Sequence, residues 1–466
     1  MKNNAVSSIE KMINPESIAV IGASRDPNSV GYGILKNLIS NYKEEGRGQY
    51  KYEGKVFAIN PNAKQILGIK CYEDILSVHE HIDLAIICVR AQIVNQVAWQ
   101  CAKKGVKSII VISAGFGEIG TAGRIMQEQL VKICKQHSMR MLGPNCLGVI
   151  RPSKTMNASF ALTIPNPGQV AFISQSGAIA DSVIDWAIEE KYTFSTIVST
   201  GNSADLDAAD WLDWLARDKQ TKSIAMYVES IKNGRKFIKS AKKLKEKKPI
   251  ILLKGGKTSQ GQKAANSHTG ALAGDYQVFF GAMKEAGVII AESIEEMFDL
   301  ARALCKQPKL QKNSIAIITN GGGVGVLCAD YCSQFGLNLA NLKKSTLNKL
   351  DKTKMMNPNY SKNNPLDIIG DARPLQYKAA LETLIGENYI SGILVIQTLQ
   401  SMTDPVWDAK IVIEVHKKNP KKPIICVFMG GKYSHVGIRL LEQNNIVEFN
   451  EPRKAVKAMA ALYGLV

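Results

Sequence analysis

Short runs rich in Val and Ile recur along the chain, separated by longer stretches with helical apolar spacing. Runs bounded by Gly, Pro, Ser or Asn read as strands, and their alternation with helical patterns predicts βαβ units built on parallel sheets. In the first third these runs are Ile18–Ile21, Val56–Ile59, Leu84–Val89 and Ile109–Ile112. They end in Gly22-Ala23-Ser24, Asn60-Pro61, Arg90 and Ser113-Ala114-Gly115-Phe116-Gly117. A doubly wound sheet binds its ligands at those carboxyl ends.

Between Arg151 and Pro167 the pattern loosens into Pro, Ser, Thr and Asn, which predicts a domain boundary. A second α/β unit follows, with strands expected at Gln169–Ile173, Thr196–Thr200, Ser223–Val228 and Pro249–Leu253. After Pro308 a third begins, with strands near Ile315–Ile318, Ile393–Gln397 and Ile424–Phe428. The expected organisation is α/β throughout: a Rossmann-like domain over 1–150, then flavodoxin-like domains over 151–308 and 309–466. A length of 466 residues with 45% hydrophobic content suits such a multi-domain globular chain.

The formal charge of +18 raises the question of nucleic acid. Much of it lies between Lys232 and Lys257, which reads as a solvated helix face without the interleaved aromatics that base stacking needs. Anionic small molecules or an acidic partner surface are the better match. The nine cysteines lack CxxC or Cys/His metal spacing, and Cys328 and Cys332, four apart, read as helix core. No apolar leader opens the sequence and no apolar run reaches bilayer length, so a soluble, cytoplasmic protein without a membrane partner is expected.

The most telling chemistry is the octapeptide Ser267-His268-Thr269-Gly270-Ala271-Leu272-Ala273-Gly274, one histidine among small residues. It follows Gly255-Gly256-Lys257-Thr258-Ser259-Gln260-Gly261, a composition suited to a swinging loop. An imidazole is neutral and nucleophilic near pH 7 and can accept a phosphoryl group. Glu229, ending the run Ser223–Val228, could hold one ring nitrogen as N–H and free the other. Two helix starts, Ser174-Gln175-Ser176-Gly177 and Asn320-Gly321-Gly322-Gly323, offer unpaired backbone N–H groups to a phosphate. Each contributes about 0.3–1 kcal/mol when exposed and up to about 2 when partly buried.

These segments, with Gly143-Pro144-Asn145-Cys146-Leu147-Gly148, resemble the signatures of the ADP-forming acyl-CoA synthetases, the superfamily that includes succinyl-CoA synthetase. The resemblance runs over nearly the whole chain. It also touches Gly201-Asn202-Ser203-Ala204-Asp205, placed near the active site, and Asn364-Pro365-Leu366-Asp367-Ile368-Ile369-Gly370 in the last domain. Asp205, Asp207 and Asp210 read equally well as helix caps, and Asn364 and Asp367 as turn formers.

A dinucleotide is disfavoured in the first domain. The turn from Gly22 to Gly31 does not match G-x-G-x-x-G, and Asn60-Pro61 stands where a ribose-binding acid is expected. The resemblance implies coenzyme A instead, across Gly22, Ser24, Arg25, Val30, Asn60, Pro61, Lys64, Val89 and Ser113, with Asn145 and Cys146 near the thioester. It implies catalysis by His268 and Glu229, with phosphate at Ser174–Gly177 and Asn320–Gly323. No side chain here is expected to bind metal alone. Three α/β units use up the length, so an ATP-grasp β subunit in an αβ or α2β2 assembly would supply ADP/ATP and Mg²⁺. The implied reaction interconverts acyl-CoA, ADP and phosphate with acid, CoA and ATP through acyl phosphate and phosphohistidine, with acetate the family's default acid. A non-catalytic CoA-binding protein and an NAD-linked oxidoreductase stay as rivals.

Overall fold

The computed structural model describes all residues except 1, 41, 45–47, 191, 246 and 270–274; the side chains of 2–4, 42–44, 48–50 and 266–269 also lie outside the description. The chain forms two compact units, Met1–Met297 and Phe298–Val466.

The first unit holds two seven-stranded sheets. In the first, Ser17–Ile21 is central, flanked by Lys55–Ile59 on one side and by Leu84–Ile87, Ser108–Val111 and Arg140–Leu142 on the other, all parallel. Burial on both faces explains the uninterrupted Val and Ile: every residue of Ser17–Ile21 and of Leu84–Ile87 is buried. The chain leaves the central strand toward one edge and returns on the other side. A topological switch point therefore opens beside Gly22 and Cys88.

The second sheet runs Met156–Ser159, Gly148–Arg151, Phe194–Ser199, Pro167–Ser174, Ser223–Val228, Ile250–Lys254 and Val288–Ala291. Its strand Gly148–Arg151 pairs antiparallel with both neighbours, so part of the stretch read as loose polypeptide, Met156–Ser159, is an ordered edge strand. Arg151 anchors it by a bidentate pair with Asp218 at 2.8 and 3.0 Å and a bond to the Ser195 carbonyl at 3.1 Å. One apolar core links both sheets, from Ile9 and Ile18 to Trp211, Met226 and Leu252.

The second unit carries five parallel strands in the order Leu366–Asp367, Ile315–Thr319, Gly392–Thr398, Ile424–Met429 and Val447–Phe449. Among the described residues no helix is long and apolar enough to cross a membrane.

Candidate active site

The carboxyl ends of the first unit's two sheets enclose a cavity of about 1110 Å³. Val89, Ser113, Asn145 and Cys146 line it from the first sheet, Gln175, Ser176 and Gly177 from the second, with Val30 at the start of the helix Val30–Ile39. The two sets of turns are bonded directly: Asn202 N–H donates to the Pro144 carbonyl at 2.9 Å and Ala204 N–H to that of Gly143 at 3.0 Å.

Gly22, Ser24, Arg25, Asn60, Pro61 and Lys64 stand at neighbouring strand ends but outside this wall. Gly22 is required by the turn: its φ is +95°, and a Cβ would lie 2.6 Å from the Cys88 carbonyl oxygen. Asn60 works on the protein itself, its Nδ2 donating to the Ala23 carbonyl at 2.7 Å. Cys146 is 4% exposed and its thiol donates to the Val111 carbonyl at 3.3 Å. Burial pushes that thiol up to about 12, so Cys146 contributes surface rather than a thiolate.

At the second wall, Ser176 caps the helix Gly177–Glu189 by accepting from Ile179 N–H. The first-turn N–H groups beyond the cap have no intrahelical acceptor and face the cavity side, where an anion is favoured. Ser174 is fully buried, and its hydroxyl accepts from Ser176 N–H at 3.1 Å and donates to the Ser176 carbonyl at 2.7 Å. Its side chain builds the turn rather than reaching a ligand.

Gln175 bridges to the next strand. Its Nε2 donates to the Ser230 carbonyl at 2.7 Å, while its Oε1 accepts from the N–H groups of Glu229 and Ser230 at 2.5 and 3.0 Å. Glu229 is thereby held beside the cavity, 9% exposed. Its Oε1 accepts from the Tyr227 hydroxyl at 3.4 Å, and its Oε2 is buried with no partner among the described residues. Burial, and then the Glu229 charge, push the Tyr227 phenol up to about 12, so it stays a donor.

From Lys254 the chain turns through Gly255 and Gly256 into the helix Ser259–Thr269. Of the expected loop 255–261, residues 255–258 are irregular and the last three residues are helical, because Thr258 caps the helix: its Oγ1 accepts from Gly261 N–H at 3.1 Å and its carbonyl from Gln262 N–H at 2.7 Å. A Cβ on Gly255 would stand 2.6 Å from the Tyr227 hydroxyl and 3.4 Å from Glu229 Cγ, so the turn that leads into the helix runs hard against the Glu229 side chain. Its backbone passes within 8 Å of the turn Gly117–Ile119 at the cavity rim. His268 is on this helix, but its side chain and the residues 270–274 lie outside the described residues.

Several lining residues escaped the sequence reading. Lys232 lies on the wall and donates to the carbonyls of Asn202 and Ser203 at 2.8 and 3.1 Å; burial lowers its pKa, with Asp207 opposing. Arg124 also lines the cavity, beside Arg90, whose strand end the sequence pattern does mark. Glu118 braces the rim, accepting from Gly115 and Phe116 N–H at 2.6 and 3.1 Å and from Asn202 Nδ2 at 2.5 Å. Burial alone would raise its pKa, but these bonds hold it below the usual range. At this strand end the sequence pattern singles out only Glu229, and Lys232 is counted there with the run of lysines that follows, although the strand-end rule extends to it. That run is not one solvated face: Lys236 pairs with Asp207 and Asp210 at 3.0 and 2.6 Å, and Lys248 donates to the carbonyls of Leu215 and Asp218 at 2.5 Å. Asp207 and Asp210 form a capping box on the helix Ala208–Leu215, and Asp205 pairs with Arg140 at 2.9 Å. All three carry structural roles.

In the second unit, Gly321 caps the helix Gly322–Gln334, leaving first-turn N–H groups open. Asn320 is 2% exposed, accepting from Thr398 N–H at 2.7 Å and donating to its carbonyl at 2.9 Å. It ties two strand ends together. A Cβ on Gly322 would stand 2.6 Å from Asp367 Oδ2, and Gly323 faces open space. Asn364 bonds the backbone of Ile315, Ile317 and Ala340, a structural use like that of Asp367, whose Oδ1 accepts from Ile369 N–H at 2.9 Å.

A cavity with Arg90, Arg124, Lys232 and a helix start on its wall, at a switch point joined to a second sheet by glycine turns, is an architecture suited to an enzyme acting on an anionic, nucleotide-like ligand. Comparison with known families agrees: 16–152 match a CoA binding domain, 167–304 a succinyl-CoA ligase like flavodoxin domain, and 315–464 a ligase-CoA domain. The chain is 40% identical over 465 residues to acetate–CoA ligase [ADP-forming] I subunit alpha of Pyrococcus furiosus, covering 98% of this chain and 97% of that one. It is 34% identical over 455 residues to the 4-hydroxybutyrate–CoA ligase [ADP-forming] of Nitrosopumilus maritimus, covering 97% of this chain and 63% of that longer protein. A dinucleotide-forming acetyl-coenzyme A synthetase 1 of Ca. Korarchaeum cryptofilum, solved with phosphate and ADP, superposes with a TM-score of 0.91 at 35% identity, covering 98% and 96% of the two chains. The chain belongs to the ADP-forming acyl-CoA synthetase family, acid–thiol ligases of the acetate–CoA ligase type.

Proposed function

We propose that this chain is the α subunit of an ADP-forming acyl-CoA synthetase, with the CoA-binding part in 1–150 and ligase parts in 151–308 and 309–466. Coenzyme A lies along the carboxyl ends of the first sheet, its phosphates drawn to Arg90, Arg124 and Lys232 rather than to Arg25 and Lys64. Phosphate sits on the N–H groups at Ser176-Gly177 and attacks the thioester carbonyl; the C–S bond breaks, giving acyl phosphate and the CoA thiolate, which takes up a proton. His268 then attacks phosphorus, releases the carboxylate and holds the phosphoryl group. Glu229 accepts the other ring N–H and steadies the charge that develops on the imidazole.

ADP and Mg²⁺ are assigned to an ATP-grasp β subunit in an αβ or α2β2 assembly, where the phosphoryl group is handed over. The Gly321–Gly323 helix start gives that group a second cradle during the cycle. Nine free cysteines fit a reducing compartment such as the cytoplasm. The observation that carries the proposal is Glu229 Oε2, a buried carboxylate oxygen without a partner among the described residues, beside the glycine turn that starts the His268 helix. Relatives named as ligases give no support to a non-catalytic CoA binder. Incubation with phosphate, acyl-CoA and the partner should place an acid-labile phosphoryl group on His268. His268→Ala should abolish turnover while CoA still binds, and full turnover in that variant would refute the assignment.

A further inference from the structure

The helix Gly177–Glu189 presents more than its N-terminus to the cavity. Gly177, Ala178 and Asp181 all line the wall, as helical spacing of one and four residues requires. At a rise of about 1.5 Å per residue, Asp181 stands roughly 6 Å along the axis from Gly177. Its carboxylate makes no hydrogen bond or ion pair with any described residue. Burial, and then the like charge of Asp185 one turn further on, push its pKa up; none of the cavity's cations offsets them. The cavity is thus divided. Arg90, Arg124 and Lys232 offer positive charge, Leu147 and Phe160 offer apolar surface, and Asp181 offers a lone acceptor a short acyl chain's length from the phosphate cradle.

We propose that Asp181 selects the acyl group, accepting a hydrogen bond from a hydroxylated short acyl chain and excluding one that ends in a second carboxylate. This rests on the reading of Ser176-Gly177 as the seat of the acyl phosphate. The acyl carbons extend from that phosphoryl group past Leu147, and a hydroxyl on the third or fourth carbon reaches Asp181. A plain alkyl chain leaves the carboxylate to water, and a terminal carboxylate meets a like charge in a partly desolvated pocket. A hydrogen bond to a charged group is worth about 10- to 100-fold in kcat/KM between substrates with and without the donor.

The test is thioester formation by the full chain assembled with its ATP-grasp partner, using ATP, CoA and acetate, butyrate, 3-hydroxybutyrate, 4-hydroxybutyrate or succinate. The parent enzyme should favour a hydroxybutyrate over butyrate by about 10-fold or more and succinate least. Asp181→Ala should erase the hydroxy preference, and Asp181→Asn, which keeps an acceptor without the charge, should retain it while admitting succinate. Retained CoA affinity in both variants reports an intact fold. A parent enzyme active on these acids without a hydroxy preference, or a preference unchanged in Asp181→Ala, overturns the assignment and leaves the ligase reading standing. No thioester from any acid overturns the ligase reading, and the role of Asp181 with it.

Discussion

Gln175→Ala removes a side chain that ties Glu229 to the turn Ser174–Gly177, the proposed phosphate cradle. Three hydrogen bonds go, at 2.7, 2.5 and 3.0 Å. At about 0.5–1.5 kcal/mol each they sum to roughly 2–4 kcal/mol. Water entering from the cavity restores part of this to the freed N–H groups of Glu229 and Ser230, so a net loss of about 1–3 kcal/mol is expected. Thermal unfolding of the whole chain should fall by several degrees, at about 2–4 °C per kcal/mol for units of this order of size. The functional loss should be larger, because a displacement of about 1 Å in a positioning group costs on the order of 100-fold. Phosphorylation of His268, followed by quenched-flow with radiolabelled phosphate and acyl-CoA in the presence of the partner, should slow by about that factor. CoA affinity by calorimetry should hold within about threefold, or 0.7 kcal/mol. Gln175→Glu keeps an acceptor for both N–H groups but turns oxygen against the Ser230 carbonyl beside Glu229, and should be no better. A Gln175→Ala chain that melts earlier yet phosphorylates His268 at the parental rate would refute the positioning of Glu229 through this residue.

Glu229→Gln keeps the shape but presents an amide to a histidine that needs an acceptor; by analogy with other histidine–carboxylate pairs phosphohistidine formation should fall about 10²–10⁴-fold, and an unchanged rate would remove Glu229 from the chemistry. Asp408, 1% exposed, is raised by burial from 3.8 to about 7 despite the hydrogen bond from Gln397, with Asp404 adding to the rise. The folded state therefore holds this proton more tightly than the unfolded chain, so the stabilisation is complete below about pH 4 and is lost as pH rises through about 7. That amounts to on the order of 4 kcal/mol, seen as a falling melting temperature for Phe298–Val466, and Asp408→Asn should flatten the slope apart from a same-sign share from Glu448, also raised to about 7 by burial.

The parallel strands were legible because burial on both faces leaves no polar position to break the run, as in Ser223–Val228, which the structure places at the same residues as the sequence pattern. The edge pair Gly148–Arg151 and Met156–Ser159 was not legible. Its buried positions include Arg151, Asn157 and Ser159, which bond Asp218, the backbone or one another, and these polar residues break up the short apolar run that a hydrophobicity pattern looks for. The helix Ser259–Thr269 was hidden for a related reason: Gln, Lys, Asn, Ser and His carry no apolar stripe, and its start depends on one threonine cap.

The site divides along the same line. What backbone geometry decides could be read from glycine, serine and asparagine: the turns at Gly22, Gly143, Ser176 and Gly321 all stand at strand ends. What tertiary folding decides could not, since Lys232, Asp181 and Arg124 come to line one cavity only after two sheets pack end to end. That packing itself rests on glycine. Gly201 has φ +51°, and a Cβ there would lie 2.3 Å from the Asn145 carbonyl oxygen; Gly143 has φ +93°, and its Cβ would lie 2.5 Å from the Val111 carbonyl oxygen. The two turns approach until backbone bonds backbone, which no side chain would permit. The glycines that resembled a ligase signature in sequence therefore act first as a joint between the CoA-binding sheet and the sheet that carries Glu229. The position of the cavity between them follows from that joint, before any ligand is bound.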